Sequence, residues 1–237
     1  MNKLNISLIC ATLLTALLTA CSENSTSSEP EYVFDASVVC PAEGLNAYGE
    51  PNRGTFIDER DGQEYKYTTI GNQVWMAENL KFDAPYSIYY DKIEGYSDTF
   101  GRFYSLIKNG ERLGLFDQEL MDTICPAGWH VPSADEWRAL SFNVGDDGSK
   151  LTSPENYGEN YQPGTNDCAF NSLPAGVLWG GHYVGDTGYT LADNFFAYYW
   201  TSTARNSATA YMSLVPSTNR IAYRMHEYRV PIRCLKD

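Results

Sequence analysis

The chain of 237 residues is long enough for one substantial domain, and its apolar content of 43% is sufficient for a hydrophobic core. Its formal net charge of −13 argues against a nucleic-acid partner, because phosphate binding needs clustered Lys and Arg residues. The 18 tyrosines are typical of strand-rich domains, since a tyrosine ring can be buried while its hydroxyl stays in water.

The first 20 residues have the features of a bacterial export signal. Lys3 supplies a positive charge, and the apolar stretch that follows is too short for a lasting membrane span. It ends in LTAC, Leu18–Cys21, which resembles the lipobox of bacterial lipoproteins. The resemblance implies removal of residues 1–20, lipid such as palmitate on Cys21, and anchoring to a membrane of the cell envelope, at the outer membrane or cell surface. The alternative is an ordinary signal peptide that is cut nearby without lipid attachment.

Residues 22–31 are small and polar, so the segment 21–31 is interpreted as the lipidated cysteine followed by a flexible tether. Residues 32–54 have a weak pattern and are interpreted as an extension attached to the domain. The domain itself is expected to run from residue 55 to residue 237.

Besides Cys21, four cysteines remain in the mature chain, at positions 40, 125, 168 and 234. An even number of cysteines in an exported protein predicts two disulfides, for which three pairings are possible. A zinc site is the alternative, but no two of these cysteines have C-x-x-C spacing and the sequence has no paired histidines. We therefore expect disulfides and no metal.

A three-stranded antiparallel meander is predicted at the start of the domain. Asp61-Gly62 and Gly71-Asn72 are tight-turn pairs, and the segment QEYKYTTI between them alternates in polarity. QVWMAENL follows as a further strand.

Three helices are predicted after the meander. In TFGRFYSLIKNG, three apolar residues within 103–107 have helical spacing, and Gly110 is a stop signal. LFDQELMD has a second helical pattern. Ser133 and Glu136 form the sequence signature of a capping box, so a third helix begins there and directs Trp137 and Leu140 inward.

The second half of the chain begins with a long irregular region over residues 143–188, of a kind that is often functional. Within it, CAFNSLPAGVLW is expected to be ordered, with core candidates at Phe170, Leu173, Val177 and Trp179. The segments FFAYYWTST, TAYMSLVP, RIAYRMHE and RVPIRCLKD then predict one antiparallel sheet whose last strand carries Cys234.

Several of these segments, in this order, resemble the Fibrobacter succinogenes major paralogous domain family. They are NQVWMAENL, GRFYSLI, ICPAGWHVPSADEW, FNSLPAG, YWTST and the terminal IRCLKD. The resemblance covers residues 56–237 and implies an α+β, C-type lectin-like fold, shared with formylglycine-generating enzymes: an antiparallel sheet, two short helices and a long irregular loop region. It implies no established activity.

The resemblance also implies a pairing of the cysteines. In lectin-like folds a cysteine of the helical region bonds one in the last strand, which here implies Cys125 with Cys234 and leaves Cys40 to Cys168. With all four thiols in disulfides, no reactive cysteine pair of the formylglycine-generating type remains.

Calcium-dependent sugar binding is disfavoured. The sequence EPN occurs only at residues 50–52, ahead of the domain, and the loop sequence QPG at residues 162–164 lacks the acid that a calcium site needs. We expect no cofactor. His130 has no acid or nucleophile near it in sequence, so a packed or hydrogen-bonded role is favoured over catalysis.

The irregular region supplies the candidate ligand-binding residues, because aromatic faces beside polar groups suit sugars or peptides. These residues are Tyr161, Trp179, His182, Tyr183 and Tyr189, and the segment YSIYY at residues 86–90 adds further rings. The leading hypothesis is a lipid-anchored, non-catalytic envelope domain that binds a polysaccharide or a protein through its loop face. The alternatives are an enzyme on the same fold that acts on envelope or plant-wall material, and a purely structural envelope component.

Overall fold

The computed structural model describes residues 32–90, 92–105, 117–155, 163–180, 189–192, 195–205, 208–215, 218–225 and 228–237. These residues contain four α-helices, α1 (Ala36–Val39), α2 (Tyr96–Phe100), α3 (Gln118–Thr123) and α4 (Ala134–Asn143), and a short 3₁₀ turn at Gly148–Lys150. The predicted α+β class is confirmed, because the strands all pair into antiparallel sheets.

Thirteen strands are present in the described residues. In chain order they are β1 (Arg53–Ile57), β2 (Glu64–Ile70), β3 (Gln73–Met76), β4 (Ser87–Ile88), β5 (Phe103–Tyr104), β6 (Trp129–His130), β7 (Val177–Gly180), β8 (Tyr189–Ala192), β9 (Ala197–Arg205), β10 (Ala208–Val215), β11 (Thr218–Met225), β12 (Tyr228–Arg229) and β13 (Leu235–Lys236). They form a five-stranded sheet in the order β1–β2–β3–β13–β6, two three-stranded sheets in the orders β11–β10–β9 and β12–β7–β8, and the ribbon β4–β5.

The predicted meander is confirmed as β1–β2–β3. The turn between β2 and β3 uses Gly71 at φ +60°, and the Gly71 N–H donates to the carbonyl of Val39 at 2.6 Å. A Cβ at Gly71 would lie 2.4 Å from the side chain of Asn143, so glycine satisfies both the turn and the close approach of α4. The N-terminal extension and α4 therefore both contact this turn.

The predicted helix at 103–107 is wrong over residues 103–105, the part of it that the structure describes. Phe103 and Tyr104 form β5, which pairs with β4, and the helix of this region lies earlier, at α2. Gly101 ends α2 at φ +81°, where a Cβ would come within 2.7 Å of Asn79. Pairing of Phe103 with a strand some 15 residues away overrides the local helical spacing. Residues 106–116 lie outside the described residues.

The other two helix predictions are confirmed. Asp117 caps α3 through a hydrogen bond from the Leu120 N–H, and Ser133 and Glu136 make both hydrogen bonds of a capping box at α4. Trp137 and Leu140 on α4 are fully buried, as predicted.

The terminal segments do not form a single sheet. β9, β10 and β11 pair as predicted, but RVPIRCLKD divides: Arg229 pairs with β7, while Leu235 pairs with both Trp75 and His130. Cys234 directly precedes β13, which inserts into the first sheet. Pro231, which cannot donate a ladder hydrogen bond, lies between the two pairings.

Three clusters of buried residues hold these elements together. The main core cluster includes Tyr65, Met76, Tyr104, Ile124, Trp129, Val177, Trp200 and Ile232. The second core cluster includes Ile70, Trp75, Trp137, Leu140, Phe170 and Tyr199. The third core cluster is Tyr90, Tyr96, Phe103, Ala175 and Leu178, and it joins β4–β5 to β7–β8.

The described residues contain two disulfides, Cys40–Cys168 and Cys125–Cys234, which are the two pairs that the family resemblance implies. The first belongs to the second core cluster and the second to the main core cluster. Arg53 reinforces the first bridge, because its guanidinium donates to the carbonyls of Cys40 (2.9 Å) and Asp167 (3.0 Å). Residues 33–237 form one compact unit, so the extension is part of the domain body.

Candidate functional site

Of the five candidate ligand-binding residues in the second half of the chain, Trp179 is the one whose side chain the structure describes. It lies on β7, the central strand of the sheet β12–β7–β8, directly opposite Tyr228 on one side and Thr190 on the other. Its side chain is 47% exposed. A regular strand paired on both sides therefore presents a large aromatic ring to solvent in a fixed place.

The exposure of Trp179 corrects its expected place in the core. Val177 and Leu178 are both buried, on opposite faces of β7, because the sheet lies between the main and third core clusters. Phe170 is buried as predicted, whereas Leu173 is only partly buried. Buried and exposed side chains therefore do not alternate along β7. Both faces of the strand are buried at its start, and the face that packs on the main core cluster is exposed to solvent near its end.

The other candidates are only partly described. Tyr189 is the first residue of β8, and its backbone pairs with Gly180, next to Trp179. Tyr161, His182, Tyr183 and the proposed lipidation site Cys21 lie outside the described residues. The structure thus brings Trp179 and Tyr189 into one hairpin.

His130 makes a hydrogen bond through each of its two ring nitrogens. Its Nδ1 lies 2.7 Å from Asp237 Oδ1 and its Nε2 lies 3.0 Å from Glu136 Oε1. Sequence reasoning missed these two acids, because one is on the next helix and the other is 107 residues away. Both ring nitrogens are therefore engaged within the protein, and the imidazole on β6 links α4 to Asp237, the residue after β13.

Glu136 has a second set of partners that fixes its ionisation. Burial alone would raise its pKa, but hydrogen bonds from the Ser133 N–H and hydroxyl, and from His130, outweigh burial and hold the pKa below its usual value. The carboxylate is therefore charged at neutral pH and serves as a structural acceptor.

The chemistry that the described residues offer is limited in kind. All four cysteines in the described ranges are in disulfides, so they supply no thiolate. Across those ranges, no three side chains of the His, Cys, Asp or Glu types come together as a metal site. None of the described helices is long and apolar enough to cross a membrane.

Comparison with curated proteins and with solved structures finds no match. The model of the Fibrobacter succinogenes major domain matches residues 68–236, which is most of the chain and includes β7, His130 and the whole third core cluster. The chain belongs to the Fibrobacter succinogenes major domain family.

Proposed function

We propose that this protein is a lipid-anchored component of the cell envelope whose non-catalytic, lectin-like domain binds a neutral polysaccharide. The observation that carries the binding proposal is Trp179, a half-exposed indole on a doubly paired strand. A backbone held in this way loses little conformational entropy on binding, so more of the contact energy of the ring contributes to affinity.

The polysaccharide is favoured over a protein ligand by the kind of surface that Trp179 offers. The flat face of an indole fits the apolar C–H face of a pyranose ring, and the neighbouring Thr190 is exposed and offers a hydroxyl to sugar hydroxyls. The net charge of −13 disfavours acidic polysaccharides, because a negatively charged chain is repelled as it approaches the negatively charged protein. We therefore assign neutral chains as the ligand class.

The lectin-like assignment is supported by the mixture of short helices, antiparallel sheets and irregular connections, and by a disulfide that joins the α3 region to the last strand. The proposal of a non-catalytic domain is supported by the engagement of both His130 nitrogens and of all four described thiols.

The anchor proposal rests on LTAC at Leu18–Cys21 and on the polar segment that follows it. Acyl chains on Cys21 hold a soluble domain at a membrane because each buried methylene contributes roughly 0.8 kcal/mol. Labelled palmitate should enter the wild-type protein and not Cys21→Ser. Retention of the label by Cys21→Ser would contradict the anchor without affecting the binding proposal.

The binding proposal is tested by titrating the full-length protein, in detergent micelles, with neutral β-1,4-linked hexasaccharides of glucose, xylose and mannose. Trp179→Ala should weaken the tightest of these interactions by about tenfold, or about 1.4 kcal/mol. Phe142→Ala is the matched control, because Phe142 is also an exposed aromatic residue but lies on α4. Equal affinity of Trp179→Ala and wild type would refute the site.

A further inference from the structure

We infer that a second sugar subsite lies at Tyr89, next to β4, and that it takes a neutral pyranose ring with neighbouring hydroxyl groups. This inference rests on the proposed polysaccharide function and selects Tyr89 from the rings of the segment YSIYY. The segment YSIYY divides in the structure: Tyr90 is buried in the third core cluster, while Tyr89 is 45% exposed.

The ring of Tyr89 is held in place at two points. Its hydroxyl donates to Asp98 Oδ1 on α2 at 2.7 Å, and the guanidinium of Arg102 lies 5.8 Å from the ring centroid. Arg102 is in turn held by Asp83 and by Ser87, whose hydroxyl oxygen accepts from Arg102 Nε at 3.0 Å. The exposed ring is therefore oriented before any ligand arrives, as a stacking platform needs to be.

The polar groups around this ring have unused hydrogen-bonding capacity. Both contacts of Asp83 use Oδ1, so among the described residues Asp83 Oδ2 has no partner, and the same holds for Asp98 Oδ2. Asp83 is 79% exposed, so its free oxygen can reach a ligand. Within the same described ranges, Arg102 donates through Nε and Nη2 only, which leaves the hydrogens of Nη1 available.

These groups match the chemistry of a sugar. Carboxylate oxygens accept from hydroxyl groups, a guanidinium donates to them, and a paired carboxylate and guanidinium present both functions side by side. A ring with neighbouring hydroxyls can use both while its C–H face lies on Tyr89. The two carboxylates would repel an acidic sugar, so the subsite takes a neutral one.

A second exposed tyrosine shows why this arrangement is distinctive. Tyr48 is 46% exposed and lies 5.2 Å from Lys236 Nζ, so it has the same exposure and a similar cation beside its ring. There, however, Lys236 Nζ contacts both oxygens of Glu50, at 2.6 and 2.7 Å. The polar groups beside Tyr48 therefore pair with each other, while those beside Tyr89 keep atoms that can hydrogen-bond to a ligand.

The ribbon β4–β5 is attached to the same core as the strand of Trp179. Ile88 packs against the third core cluster, and so does Leu191 of β8, while Leu178 of β7 is part of it. A ligand that contacts both Tyr89 and Trp179 would therefore bridge two elements anchored to one cluster, which limits their relative movement.

The experiment is a titration of the full-length protein with the same neutral hexasaccharides and with an α-1,4-linked hexagalacturonate as the acidic probe. Tyr89→Ala and Asp83→Ala should each weaken neutral binding by about five- to tenfold. Tyr48→Ala, matched in residue type and exposure, should leave affinity unchanged, and the acidic probe should bind more weakly than any neutral one that binds.

The outcomes separate this inference from the proposed function. Wild-type affinity in both Tyr89→Ala and Asp83→Ala, with loss in Trp179→Ala, would overturn the subsite and leave the function standing. Equal losses in Tyr89→Ala and Tyr48→Ala would also overturn it. Absence of wild-type binding to every probe would overturn both, and preference for the hexagalacturonate would overturn the neutral class. Asp83→Ala guards against misfolding, because its exposed side chain packs against little.

Discussion

Removal of the Cys125–Cys234 disulfide, by replacing both cysteines with alanine, should destabilise the domain by close to 5 kcal/mol. The two residues are separated by 109 positions. For a closed loop of about 110 residues, the chain-entropy relation gives about 16 cal/mol/K, or about 4.8 kcal/mol at 25 °C. Because domains are stable by only about 5–15 kcal/mol, this is a large share of the free energy of unfolding.

The other disulfide is the matched control for this prediction. Cys40 and Cys168 are separated by 128 positions, for which the same relation gives about 4.9 kcal/mol. Both bridges are buried, so the cavities left by alanine add a similar cost in each variant. Chain entropy therefore predicts nearly equal decreases in the free energy of unfolding for the two variants, although one bridge holds the extension and the other holds the last strand.

Urea unfolding of each double variant, followed by tryptophan fluorescence, measures both losses. A loss below about 1 kcal/mol for the Cys125/Cys234 variant would refute the entropic reasoning. A difference of more than about 2 kcal/mol between the two variants would show that native contacts, rather than loop closure, set each contribution.

Three further predictions concern single side chains. Arg233→Met should lower the free energy of unfolding in urea by about 2–4 kcal/mol. The buried guanidinium donates to Asn79 Oδ1 and to backbone carbonyls, and these acceptors would lose their donor. A decrease of less than about 1 kcal/mol would contradict this reasoning. Burial alone would raise the pKa of Asp58, but hydrogen bonds from Arg60 hold it below its usual value. The wild type should therefore be more stable than Asp58→Asn by its full margin above the unfolded-state pKa of about 3.9. This margin should decline as the pH falls through the lower folded-state pKa, and a margin that grows on acidification would contradict the lowered pKa. Ser133→Ala should lower the free energy of unfolding by about 1 kcal/mol, since it removes the N-terminal cap of α4. An unchanged midpoint of thermal or urea unfolding would rule out that contribution.

Local chemistry explains the parts of the fold that were predictable. The capping box at Ser133 and the turn at Gly71 are set by residues within a few positions of each other, so the sequence displays them. The family resemblance supplied the disulfide pairs, which the spacing of the cysteines leaves open.

Distant pairing explains the errors. The spacing within 103–107 matches a helix, yet Phe103 pairs with Ile88 because Gly101 turns the chain back. Leu235 has no local sign that it will insert beside Trp75, 160 positions earlier. Sequence order likewise gives no reason to place Asp237 on His130. Each of these depends on contacts that form only when the sheet assembles.

The candidate site was predictable in its residue type but not in its surroundings. The sequence picked Trp179 for its aromatic ring, but it also placed that ring in the core, because alternation on a strand does not reveal where a covering cluster ends. Tyr89 differs from Tyr90 by one position, and only the packing of Tyr90 into the third core cluster distinguishes the two.

Binding and turnover measured in the same sample test the central claim most directly. The full-length protein is incubated with the neutral polysaccharide that it binds most tightly, and the bound fraction and the concentration of reducing ends are followed together. The account predicts saturable binding with no increase in reducing ends over the protein-free sample. Reducing ends that accumulate in proportion to wild-type protein would identify an enzyme and contradict the account, as would the absence of binding to every neutral chain.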